Sequence, residues 1–237
     1  GPALEKFKKA LELHKEGSDI RGSAIDLVGI GGIYLARGEV DNAASYFKEA
    51  DAYTKRVNNP RAEIALYSEL AMFHRARRNN NEALANLRRA HDLAVKIKDT
   101  NAASALNVKT ATLLEDSGDY GKAIVLLKQS IEQMTKQGDK RGELWAIGAM
   151  GIIQAKMDDY EGALKNLETA SRLRSQIGVT PARSQEIDYH LGEIYEAFGD
   201  YERALESYHQ ALSLSETRGA DVLVGRIYDR IGNIYFR

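Results

Sequence analysis

The sequence contains no cysteine. Disulfides, thiolate nucleophiles and cysteine-bound metals are therefore excluded, and cytoplasm and periplasm both stay open as compartments. Proline is nearly as scarce: the three residues at positions 2, 60 and 181 leave a stretch of more than a hundred residues with no helix-breaking ring. Neither sign of charge dominates, since 33 Lys plus Arg face 34 Asp plus Glu for a net charge of -1. The basic excess of a nucleic-acid binder is missing, so no nucleic-acid partner is expected. The longest apolar run, Leu27 to Ala36, is about half of the ~20 residues that cross a bilayer, and Gly29, Gly31 and Gly32 interrupt it. No membrane insertion is expected. What remains is a chain of 237 residues, 43% apolar and 28% charged, with enough apolar side chains to bury a core.

Laid over itself, the sequence shows one design five times: GEVDNAASYFKEA from Gly38, RNNNEALANLRRA from Arg78, GDYGKAIVLLKQS from Gly118, DDYEGALKNLETA from Asp158 and GDYERALESYHQA from Gly199. The starts lie 40, 40, 40 and 41 residues apart. A period of this size marks one supersecondary unit that stacks on its neighbours to bury its apolar face. Within each copy an Ala (43, 83, 123, 163, 204) is followed four residues later by Phe47, Leu87, Leu127, Leu167 or Tyr208. Three residues further on comes Ala50, Ala90, Ser130, Ala170 or Ala211. That spacing is one stripe of a helix and predicts core. Upstream lies a second helical pattern with a small residue at Gly31, Ala71, Ala111, Gly151, Gly192 and Gly232, as two closely approaching backbones require.

This alternation of small and large residues, with the Gly-Asp-Tyr turns at Gly118 to Tyr120 and Gly199 to Tyr201, resembles the tetratricopeptide repeat family over essentially the whole chain. The unit exceeds the commonest 34-residue form of that family and is similar to its long-repeat subgroup of about 40 residues. The resemblance implies an all-α, right-handed superhelical solenoid of antiparallel hairpins with about 12 helices. Gly1-Pro2 reads as a protease-cleavage scar. Residues 3–237 then divide into a second helix at 3–16, five hairpins at about 23–57, 62–97, 102–137, 142–176 and 182–217, and a first helix at 222–237. They read as a single array that is a fragment of a longer one. Asn59, Asp99, Asp139 and Asp221 are available as helix caps, as is Thr180 before Pro181.

The open ends of the array set up an end-to-end self-association. Ala3, Phe7 and Ala10 repeat the second-helix stripe, and Phe7 and Leu11 of one molecule are placed to meet Ile231, Ile234 and Tyr235 of the next. Such a head-to-tail contact does not close.

Chemistry is thinly represented. No phosphate-binding glycine loop, calcium loop or nucleophile triad is present, so no catalytic residue, cofactor or metal is assigned and the chain is not expected to be an enzyme. His14, His91 and His209 read as solvated, and His74 as a packing residue in a slot filled elsewhere by Tyr. His190 shares a helix face with Glu186, Glu193 and Glu196, a set better suited to a binding surface than to zinc. In the resembling family the first helices line a concave groove that takes a peptide or a helix. By register, that face here carries Met72, Arg75 and Lys109, then Trp145 and Ile152, then Tyr189, His190 and Glu193, and finally Arg226, Arg230 and Asn233. Trp145 is the preferred anchor, with Gly148 and Ala149 leaving room beside it. Arg226 and Arg230, which form a partial basic patch with Asn233, oppose Glu186, Glu193 and Glu196 in sign. The expected role is a non-enzymatic scaffold for a protein or peptide partner, the alternative being a ligand- or peptide-sensing domain of a larger regulator.

Overall fold

The computed structural model describes residues 2–178, 184–216 and 221–236. They form twelve α-helices and no strand: α1 (Pro2–Glu16), α2 (Ile20–Ala36), α3 (Val40–Val57), α4 (Pro60–Ala76), α5 (Asn80–Lys96), α6 (Thr100–Asp116), α7 (Tyr120–Gln137), α8 (Lys140–Lys156), α9 (Tyr160–Ile177), α10 (Ser184–Ala197), α11 (Tyr201–Glu216) and α12 (Asp221–Phe236). The all-α, repeat-built fold and its helix number are as the sequence predicts. Two compact units divide the chain, Gly1–Ser117 with α1 to α6 and Gly118–Arg237 with α7 to α12.

Among the described residues the turns between helices share one feature. A residue with positive φ recurs at Ser18, Gly38, Asn58, Arg78, Lys98, Gly118, Gly138, Asp158, Gly178 and Gly199. The turn therefore repeats at half the sequence period. After α5, the Lys98 amide donates to the Val95 carbonyl at 3.0 Å and the Asp99 amide to the Ala94 carbonyl at 2.9 Å. This closes the helix on a left-handed residue. Asp99 then serves the next helix, its Oδ1 accepting from the Ala102 amide at 3.1 Å. One residue thus seals the end of one helix and caps the start of the next. Asp19, Asn59, Asn79, Asp139 and Asp159 cap in the same manner. Thr180 and Pro181 lie outside the described residues, as does the side chain of Asp221.

The periodic glycines ease the left-handed turn, but Arg78, Lys98 and Asp158 hold it with a Cβ in place. Lys98→Gly is expected to raise stability by about 1 kcal/mol, measured by urea denaturation.

The predicted stripe is core throughout α3, α5, α7, α9 and α11, where all fifteen residues are at most 1% exposed. Each buried Phe or Leu of this set contributes about 1.5–3 kcal/mol. The small slot explains itself sterically. A Cβ on Gly31 would lie 2.6 Å from the Phe47 ring, one on Gly151 2.7 Å from Leu167, and one on Gly192 2.5 Å from the Tyr208 ring. On α1 the stripe behaves differently. Ala3 is exposed, Phe7 and Ala10 are half-buried, and Leu4 and Leu11 carry the contact to the core instead. Here α1 packs mainly on α2, with the Phe7 ring against Gly29, while Lys15 reaches Glu49 at 2.7 Å and the Tyr53 ring on α3.

Candidate functional site

In the first unit, successive first helices α2, α4 and α6 contact one another and place their side chains along one face. Met72 and Arg75 line a pocket of ≈ 550 Å³ with Gly32, Glu69 and Asp116. Arg75 is held there by Asp116 in a two-pronged ion pair, one prong being Nη2 to Oδ1 at 3.0 Å. Lys109 donates from Nζ to Ser68 Oγ at 2.5 Å and lies 3.5 Å from Glu69 Oε1. Each of these predicted cations thus meets an acidic side chain within the unit.

The second unit holds the more elaborate arrangement. A pocket of ≈ 530 Å³ is lined by Lys156 of α8, His190, Glu193 and Glu196 of α10 and Arg230 of α12, with Asp158 from the turn after α8 and Tyr160 and Tyr201 from the first positions of α9 and α11. Glu193 is the hub. Its Oε1 accepts from Tyr189 Oη at 2.9 Å and from Arg230 Nη2 at 2.8 Å, while Oε2 meets His190 Nδ1 at 2.9 Å. A carboxylate accepts only, so His190 carries its hydrogen on Nδ1. Arg230 also approaches Glu196 Oε2 at 3.5 Å, and the same oxygen accepts from Tyr208 Oη at 3.0 Å.

Burial works to raise the Glu193 carboxyl, but the His190 and Tyr189 hydrogen bonds and the Arg230 charge together hold it below the ordinary carboxylate range. Tyr208 is pushed well above the usual phenol value by burial and then by the charge on Glu196. Tyr195 is raised to about 12 by burial and by its hydrogen bond to Glu168. Near neutrality this gives a fixed pattern: Glu193 ionised, Arg230 cationic, the phenols protonated. Among the described residues, no group of three or more His, Asp or Glu side chains is arranged to hold a metal ion.

The structure brings His190, Glu193 and Arg230 together and leaves other predicted residues apart. Ile152 is fully buried and Tyr189 is 7% exposed, so neither presents a free side chain, although the Tyr189 hydroxyl reaches Glu193. Arg226 and Asn233 are exposed on α12 and do not line the pocket. Trp145 is 49% exposed, and the room expected beside it is filled. The space over Gly148 is taken by Ile187 of α10, whose Cδ1 lies 2.8 Å from where a Cβ would stand, and Ala149 is buried. His14 is not simply solvated: its Nδ1 pairs at 2.7 Å with the buried carboxylate of Asp26. Tyr201 reads in sequence as part of a Gly-Asp-Tyr turn, and Asp159-Tyr160 repeats its Asp-Tyr pair one repeat earlier, the signal that the sequence holds for the pocket rim.

Comparison with known proteins supports the repeat. Two family models described as "Tetratricopeptide repeat" match, one over residues 62–136 and 101–176 and the other over 189–221. Tetratricopeptide repeat protein 29 of Trypanosoma brucei brucei is 27% identical over 134 residues, covering 55% of this chain and 27% of its own length. The chain therefore spans about a quarter of that relative. Among solved structures, a Rap protein complexed with competence and sporulation factor superposes with a TM-score of 0.74 at 14% identity, covering 98% of this chain and 72% of that one. A signal-transduction ATPase with numerous domains and a tetratricopeptide repeat sensor, from Pyrococcus horikoshii, gives 0.73 at 19% identity, covering 97% and 36%. The matched residues span more than half of the sequence and coincide with the helical hairpins described above, and the chain belongs to the tetratricopeptide repeat family.

Proposed function

We propose that the chain is a non-enzymatic scaffold whose second unit seats an extended peptide segment of a protein partner along the α8–α10–α12 face. The observation that carries this reading is the charged, tyrosine-rimmed pocket around Glu193 and Arg230. Its polar atoms are fixed in place by mutual hydrogen bonds, so a ligand does not have to order them, and preorganisation of this kind favours affinity. Trp145 and Lys156 lie eleven residues apart on α8, three helical turns and about 16 Å. An extended segment of about five residues reaches from the exposed indole to the pocket. The Rap protein in complex with competence and sporulation factor supports the reading by likeness of fold. A sensor role within a larger protein draws on the ATPase with its repeat sensor. It differs in requiring the bound segment to change the conformation of the array.

The test is selection of binders from a random peptide display library, followed by calorimetry on the selected peptides. Trp145→Ala and Arg230→Glu are each expected to weaken binding about tenfold or more, the scale of an interface hot spot. Selected peptides that bind both variants as tightly as the parent chain would remove this face from the proposal. A shift in hydrodynamic radius on binding would favour the sensor role.

A further inference from the structure

Gly232 lies on α12, the last described helix, and a Cβ placed there would meet nothing within 4 Å. A different kind of opening lies inside the first unit, between the first helices α4 and α6. Six residues before the small slot, the repeats carry Ile25, Ala65, Ala105, Trp145 and Glu186 in turn. Two alanines in succession leave their crossing unfilled. The result is a groove of ≈ 350 Å³, floored by the exposed Ala65 and Ala105 and walled by Ile64 and Leu106. In the second unit the same register holds the Trp145 ring, and Ile187, the counterpart of Leu106, closes over Gly148. The groove therefore belongs to these particular side chains and not to the repeat in general.

Both ends of the groove are cationic. Arg61 stands at one end and Lys109 at the other, and the carboxylate in the lining, Asp99, is committed to capping α6 through the Ala102 amide at 3.1 Å. The Arg61–Asp99 pair is long, 3.6 Å, and the arginine side chain is 75% exposed, so the pair holds it weakly. Lys109 gives one hydrogen to Ser68 Oγ at 2.5 Å and lies 3.5 Å from Glu69 Oε1, while Oε2 of that glutamate turns toward Gly32 of α2. An ammonium has three donors, and these contacts leave one of them for an incoming acceptor. From Arg61 to Ser68, where Lys109 is anchored, α4 advances seven residues, about 10 Å. In an extended peptide, residues two apart point the same way and a span of four covers about 13 Å. We infer that the α4–α6 groove docks an extended acidic segment of a partner protein. One large apolar side chain enters over Ala65 and Ala105, and carboxylates two residues to either side meet Arg61 and Lys109. This docking site goes beyond the α8–α10–α12 face and shares no residue with it.

The test is fluorescence anisotropy of the whole chain with a labelled peptide whose core is Glu-Ala-Phe-Ala-Glu, titrated to about 1 mM, the weak end of measurable affinity. Two further peptides replace both glutamates with lysine or the phenylalanine with alanine, and each is expected to bind about tenfold more weakly or worse. Ala65→Trp and Ala105→Glu bring into the groove the residues that the protein itself carries at 145 and 186, both at exposed positions. Each variant is expected to lose about tenfold or more in affinity for the first peptide, with circular dichroism melts that match the parent chain. No binding by the parent chain, equal binding of the lysine peptide, or folded variants that bind as the parent does would overturn the inference. So would a parent chain that self-associates in sedimentation and turns monomeric with Ala65→Trp, which would assign the groove to a second copy. Both substitutions leave the α8–α10–α12 face intact, so failure here does not touch the function proposed for that face.

Discussion

Gly192→Leu is expected to destabilise the second unit by about 3 kcal/mol or more, whereas the same substitution at Gly232 stays within about 0.5 kcal/mol of the parent chain. Both glycines occupy the same register position, so helix propensity favours leucine equally at each and cannot separate them. Packing does. A Cβ on Gly192 would stand 2.5 Å from Cε1 and 2.6 Å from Cδ1 of Tyr208. That ring is fully buried, its centroid is 5.9 Å from that of Tyr189, and its hydroxyl is bonded to Glu196. Moving the ring to admit leucine breaks the Glu196 bond and strips a buried hydroxyl of its partner, which adds to the overpacking cost. Gly31→Leu is expected to cost less, because Phe47 has no polar tether and can shift as a whole. Urea denaturation followed by near-ultraviolet circular dichroism measures the difference. Adding Tyr208→Ala to Gly192→Leu is expected to recover part of the loss, since it vacates the volume that leucine needs.

The matched glycines also show what a sequence discloses and what it does not. A slot that must be small is legible from its recurrence, because sterics at a helix crossing leave a mark at every copy. Which slots are occupied is not legible, since occupancy depends on the neighbour and not on the residue. The same distinction explains the fate of Ile152. Register assigns it to the open face with Met72 and Glu193, but Gly148 and Gly151 beside it let Ile187 and Leu167 close in, and the isoleucine is sealed beneath them. Arg230 and Glu193 were identifiable as opposite charges one repeat apart, while the hydrogen bonds from Tyr189 and His190 needed side-chain directions that spacing alone does not give. The left-handed turns were half visible. Glycine announces them at 38, 118, 138, 178 and 199, and Arg78, Lys98 and Asp158 conceal the same geometry behind residues that tolerate it at a cost.

Removing Arg174 is expected to be the other severe lesion. Its guanidinium grips Asp188 with two bonds, Nη1 to Oδ2 at 2.8 Å and Nη2 to Oδ1 at 2.9 Å, joining α9 to α10. The side chains are 15% and 1% exposed. Arg174→Leu leaves the carboxylate buried without its counter-charge, a loss of about 3–5 kcal/mol at neutral pH. Burial already raises the Asp188 pKa above its ordinary 3.8 in spite of the hydrogen bonds and charge of Arg174, and losing the arginine raises it further. For an acid whose folded pKa lies above its unfolded one, the favourable contribution is complete below the unfolded value and fades as pH climbs through the folded value. The Arg174→Leu chain is therefore expected to lose stability relative to the parent as pH rises from below 3.8 to neutrality, and to recover it on acidification as Asp188 takes up a proton. Asp188→Asn should be milder, because Arg174 keeps Ser171 Oγ at 3.2 Å and a contact with the Ser184 carbonyl at 3.5 Å. Replacing both partners with leucine removes the stranded charge and is expected to restore most of the stability and abolish the pH dependence particular to Arg174→Leu. Thermal melts of the three variants across that pH range make the comparison. A double variant as unstable as Arg174→Leu at neutral pH would show that the arginine acts through packing of its stem and not through the carboxylate.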